Sequence, residues 1–197
     1  VYEPQSGGMK YINTNVATLY SQQTGAHYFR VAPSGSADAA ISWTEAMKID
    51  NSGRVTKPVQ PAFLGNHNTT TSNISNGTAI PFNTTIFDQN SDFHASNGVF
   101  TAPVTGRYQF SFLVSVTELD ASATYSRILL KCSNRTVPFG ITHANQFSGD
   151  PGYYSFEGSL LLDMDANDTC FLEWNQAGGA NQADVFDSTY FSGYLAC

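Results

Sequence analysis

The chain has 197 residues, of which only 13% are charged, and a formal net charge of −7 without any run of Lys or Arg. Nucleic acid is thereby excluded as a natural partner, since phosphate binding needs clustered cations. No uninterrupted apolar run of about 18 residues exists and no signal peptide is visible, so membrane insertion is not expected. Asn, Ser, Thr and Gln are abundant, which suits an all-β protein with polar strand faces and many exposed turns. Opening at Val1 without a Met, the sequence reads as the C-terminal piece of a longer protein.

Residues 1–60 hold short β-prone runs, Lys10-Tyr11-Ile12 and His27-Tyr28-Phe29-Arg30-Val31, separated by Ser6-Gly7-Gly8, Pro33-Ser34-Gly35-Ser36 and Asn51-Ser52-Gly53 turns. The alternation of Ile41-Ser42-Trp43-Thr44 favours strand over a short helix at 37–46. Too few apolar residues lie here to close an independent core, so the segment needs copies to wrap one another or the next domain to pack on. Within it, Ala46-Met47-Lys48-Ile49-Asp50-Asn51-Ser52-Gly53-Arg54-Val55-Thr56-Lys57-Pro58 resembles the Met-Arg-Ile-Asp-x-x-Gly-x-Val-x-x-Pro segment of bacteriophage tail fibres and other virion fibres. The next residues, Val59-Gln60-Pro61-Ala62-Phe63, resemble a fibre-to-tip junction. A plain β-hairpin with an Asn-Ser-Gly turn is the alternative reading of the segment.

From Pro61 the pattern is that of a sandwich. Phe63-Leu64 starts it, a polar loop covers 66–76, and strands are expected near 79–87, 98–102, 106–117, 124–132, 135–140, 153–163, 169–175 and 187–195. At 106–117 the alternation is strict. Tyr108, Phe110, Phe112, Val114 and Val116 face one way and are expected to be buried. Gln109, Ser111, Ser115 and Thr117 face the other way.

The aromatic spacing extends this run backwards: Phe82, Asp88, Phe93, Phe100, Gly106, Tyr108, Phe110 and Phe112. It resembles the fingerprint of the C1q-like globular head, the trimeric jelly roll shared by complement C1q and the tumour necrosis factor ligands. Ser188-Thr189-Tyr190-Phe191-Ser192-Gly193-Tyr194-Leu195 resembles that family's closing strand, with Tyr190 as an extra aromatic. The resemblance implies an all-β, ten-stranded C1q/TNF-like jelly-roll sandwich at 61–197. It implies a homotrimer, preceded by a short β-rich stalk at 1–60.

Three cysteines, Cys132, Cys170 and Cys197, make an odd count. Cys132 and Cys170 read first as small buried free thiols in strands, with a Cys132–Cys170 bridge as the alternative. Six Asn-x-Ser/Thr sequons, at Asn68, Asn73, Asn76, Asn83, Asn134 and Asn167, are read as a product of composition rather than as glycan sites.

Alternate loops of an antiparallel meander share one end of the sandwich. Family resemblance puts the chain end beside the stalk, so the long loops 118–123, 140–152 and 176–186 gather at the far tip. Long irregular loops usually carry binding. The candidate ligand residues there are His143, Asn145, Gln146, Phe147, Tyr153, Asn181, Gln182 and Asp184. Amides supply paired hydrogen bonds to sugar hydroxyls, and aromatic rings stack on sugar faces. Glu118, Asp120, Asp150, Asp184 and Asp187 share that end. Three copies of them near one axis would favour a cation such as calcium, but ordinary solvated acids are the preferred reading and no cofactor is expected.

Catalytic chemistry finds little support. Asp163, Asp165 and Asp168 are explained by a tight turn, and His27, His67, His94 and His143 are scattered through turn-rich or exposed stretches. No nucleophile elbow, zinc-protease or phosphate-loop pattern occurs. The expected protein is therefore no enzyme. It is the trimeric receptor-binding tip of a phage tail fibre, located in the virion and recognising a host cell-surface carbohydrate or protein. Its other tail proteins would join through the N-terminal side. The alternatives are a secreted C1q-like recognition protein and a structural fibre cap without ligand.

Overall fold

The computed structural model describes residues 2–5 (backbone alone), 8–143 and 146–197. Two compact units divide the chain at Gln60 and Pro61. In the first, β1 (Tyr2–Gln5) pairs with β2 (Gly8–Tyr11). A separate antiparallel sheet follows in chain order: β3 (Asn15–Gln23), β4 (Ala26–Gly35), β5 (Thr44–Ile49) and β6 (Val55–Thr56). Thr24 and Gly25 join β3 to β4 with φ of 51° and 76°, the left-handed pair that a two-residue hairpin requires. At the β5–β6 hairpin Asp50 accepts from the Ser52 and Arg54 amides at 2.8 and 3.0 Å and from Arg54 Nε at 2.7 Å. The alternation at 41–44 does not become one strand. Ile41 and Trp43 precede β5 and pack on the small cluster of Tyr11, Ala17 and Ala32 instead. Cover for that cluster takes precedence over extending the ladder.

In the second unit β7 (Ala62–His67), β8 (Thr84–Asp88), β11 (Gly106–Thr117), β14 (Tyr154–Met164) and β17 (Thr189–Leu195) form one sheet, ordered β14-β11-β17-β7-β8. The two-residue β16 (Asp184–Val185) adds to β11. The facing sheet runs β13 (Arg135–Thr142), β12 (Tyr125–Cys132), β15 (Thr169–Ala177), β10 (Val99–Thr101), β9 (Phe93–His94). Among the described residues this unit has eleven strands, and the two without a counterpart among the expected segments, β9 and β16, are short pairings that alternation does not reveal. Conversely, 79–83 is not strand. It touches β15 through an isolated Ala79–Glu173 bridge and sends Ile80 and Phe82 into the core.

The sandwich fills with the residues the alternation selects. Tyr108, Phe110, Val114 and Val116 have no exposed area, and Phe112 has 6%. Phe63 stacks on Phe93 at 4.5 Å and on Phe100 at 5.1 Å, and Phe110 stacks on Phe191 at 5.7 Å. The fingerprint residues have separate physical reasons. Asp88 accepts the amides of Asp92 (3.1 Å) and Phe93 (2.9 Å), closing the turn between β8 and β9. A Cβ on Gly106 would stand 2.7 Å from Leu195 and 2.9 Å from the Cys197 carbonyl oxygen, so a glycine here lets the chain end lie close against β11. Tyr108 is buried to its hydroxyl, which donates to Val104 O at 2.7 Å.

Cys132 and Cys170 are joined in a disulfide and are not free thiols. The register of β12 against β15 sets these two residues directly opposite each other, a fact of pairing that neither strand's own sequence contains. Cys197 is free and exposed.

Candidate functional site

Connections 118–124, 143–153 and 178–188 leave the same end of the sandwich, where β11, β13 and β15 finish. Hydrogen bonds tie them together. The buried Asp120 carboxylate accepts the amides of Ser122 (2.7 Å) and Ala180, linking the first loop to the third. Asp150 accepts the Ala121 amide at 2.7 Å and Gln182 Nε2 at 2.9 Å, so the second loop is held by both others. Gly178 and Gly179 lie in the left-handed region (φ 70° and 69°), which lets the third loop fold back over Asp120. The Ser122 hydroxyl and the Ala180 and Ser122 amides hold the Asp120 carboxyl below its usual range, against a smaller opposing effect of burial.

The candidate residues divide by what they touch. His143 donates Nδ1 to Thr124 O at 3.3 Å, and Gln146 Oε1 accepts the His143 amide at 2.9 Å, so this pair shapes its own loop. Phe147 is half-buried against the core and meets Tyr154 edge-on at 5.6 Å. Gln182 is committed to Asp150. Asp184 turns toward the 66–76 loop, accepting the Asn73 amide at 2.8 Å and the Ser72 hydroxyl at 3.3 Å. Tyr153 and Asn181 are exposed, and Asn145 lies outside the described residues. Tyr153 is 74% exposed, and its ring meets Phe186 edge-on at 5.7 Å.

Phe186 was not legible as a site residue, because its partner stands 33 positions earlier across a sheet. Asp120, Asp150 and Asp184 are occupied as acceptors within the loops. Among the described residues no group of three His, Cys, Asp or Glu side chains is placed to hold a metal ion. His67 departs from the expected exposed position. It is 1% exposed at the end of β7, with Nε2 3.3 Å from Thr71 Oγ1, and burial lowers its pKa.

At the opposite end a cleft of about 260 Å³ is lined by Thr105, Arg107, Asn134, Asp163, Asp165 and Cys197. Asp163 is bound to Arg135 at 2.6 Å. The Asp165–Asp168 turn is closed by the Asp165 amide to Asp168 Oδ2 at 3.0 Å, as turn chemistry requires.

Two facing antiparallel sheets in this strand order, with long loops gathered at one end, define a jelly-roll sandwich of the C1q and TNF kind. The C1q domain family matches residues 62–196, more than half of the chain, and the chain belongs to that family. Among solved structures, the globular domain of zebrafish complement 1qA protein is similar at 23% identity and a TM-score of 0.54, over 70% of this chain and 98% of that one. Eiger TNF from S. frugiperda is similar at 11% identity and a TM-score of 0.51, over 71% of this chain and 92% of that one. At these identities the likeness concerns the fold.

Proposed function

We propose that the protein is the homotrimeric receptor-binding tip of a phage tail fibre, recognising a host cell-surface carbohydrate or protein through its joined distal loops. The observation that carries a binding role is the exposed Tyr153 ring, set on Phe186 beside a hydrogen-bonded loop assembly. A fixed aromatic face with amides nearby suits a sugar ring or an apolar side chain, and little ordering is left to oppose binding. Family membership supports a recognition module rather than a catalyst. The outward face of the β14-β11-β17-β7-β8 sheet supports the trimer. Register rows place Leu161, Tyr194, Leu64 and Phe87 on it, with Tyr194 52% and Phe87 50% exposed. Phe191 and Tyr108, by contrast, belong to the core. The fibre context is supported by the segment at 46–58 and its Asp50-closed hairpin.

A second reading, a secreted C1q-like recognition protein, is favoured by one observation. The Cys132–Cys170 bridge is of a kind that persists in oxidising compartments. All six sequon asparagines are exposed, so both readings meet the same test. Mass spectrometry of the native protein carrying N-glycan would favour secretion.

The binding role is tested by exchanging residues 140–152 and 176–186 between two related fibres. Host range is expected to follow the loops; unchanged adsorption would leave a cap without ligand.

A further inference from the structure

The sheet β3-β4-β5-β6 is apolar on both sides. The side that packs on Tyr11, Ile41 and Trp43 holds Ala17 and Ala32, and Leu19 and Ala26 are buried on the same side. The bare side carries further large apolar groups. Ladder pairs Thr18–Val31, Tyr20–Phe29, Phe29–Met47 and Ile49–Val55 run a continuous stripe across all four strands. Tyr20 is 50% exposed, Phe29 38%, Val31 43% and Val55 56%. The ring of Tyr20 packs on Phe29 at 5.1 Å, and its hydroxyl is held at 2.6 Å by both His27 Nδ1 and Gln22 Nε2. A one-layer antiparallel sheet facing water places polar residues on its outer side, and an apolar stripe of this extent marks a surface that is covered.

We infer that this face is an interface between copies of this chain, the Tyr20–Phe29–Val31 stripe of one copy lying against that of its neighbours. Two arguments select a copy over another partner. The stripe carries no Asp, Glu, Lys or Arg, and His27 is its one basic side chain, so like faces meet without like charge although the chain as a whole is at −7. The unit's own core is too small to hold the sheet alone, so its cover must be present whenever the chain folds, which sets aside a foreign partner, while cross-linking between chains separates a copy from residues 61–197. The inference rests on the trimer reading in one respect. Trimeric heads would hold three such sheets at high effective concentration.

The test uses the whole chain in a Cys197→Ser background with one added cysteine, Phe29→Cys or Val31→Cys, and Asn51→Cys in the β5–β6 turn as the control. Each is treated with a short bis-maleimide, and the same sample is sedimented. A trimer in which positions 29 and 31 cross-link between chains and position 51 does not is the expected result. A trimer with no cross-link at 29 or 31 overturns this inference and leaves the trimer standing. A monomer overturns both. In addition, Phe29→Ser with Val31→Ser is expected to stay trimeric while residues 1–60 are digested at least about tenfold faster. Unchanged digestion would contradict the interface.

Discussion

Phe110 shows how one residue serves both sheets. It is fully buried on β11, stacks on Phe191 and meets Phe100 edge-on at 5.6 Å. Phe110→Ala is expected to lose about 3–5 kcal/mol of stability in urea unfolding, because the cavity is walled by rings that cannot collapse. Asp120 acts differently, as a charged acceptor that pins two loops. Its folded pKa lies below the ordinary 3.8, so its contribution is complete above that value and is lost as pH falls through the lower folded value. The urea midpoint should therefore drop on acidification below about pH 4, and Asp120→Asn should flatten that limb. The roles of single residues were legible where they repeat in a pattern. Phe82, Phe93 and Phe100 announced themselves by spacing, and all are buried. The role of Asp120 in joining two loops was not, because one of its donors, the Ala180 amide, comes from a loop 60 residues away.

Among elements, β11 was legible end to end, since twelve alternating residues leave one buried face possible. The short β9 and β16 were not, because two residues carry no period. The disulfide belongs to this scale too, since β12–β15 register creates it. Its loop spans 38 residues, so Cys132→Ser with Cys170→Ser is expected to cost about 3–4 kcal/mol in the entropic account, read as a lower urea midpoint. Distal loops were legible as a group from strand parity alone. Their wiring was not, and several candidate residues proved to be committed inside it. Asp150→Ala removes acceptors for both Ala121 and Gln182. It is expected to loosen the tip, seen as faster hydrogen exchange at 118–124 and 180–184, while strand amides stay protected.

At the scale of the molecule, the sequence pattern reached the sandwich and the place of its long loops. It reached less far toward the outer faces, where apolar side chains stand exposed without a period that marks them. Leu161, Tyr194 and Phe87 form one such surface, and the Tyr20–Phe29–Val31 stripe forms another. Sedimentation of the intact chain at micromolar concentration, beside Tyr194→Asp with Leu161→Asp, tests the trimeric reading most directly. The unsubstituted chain is expected to run at three times its 21.3 kDa mass and the double variant to fall to smaller species. A chain that sediments as single subunits, or a trimer indifferent to charges on that face, would contradict the account.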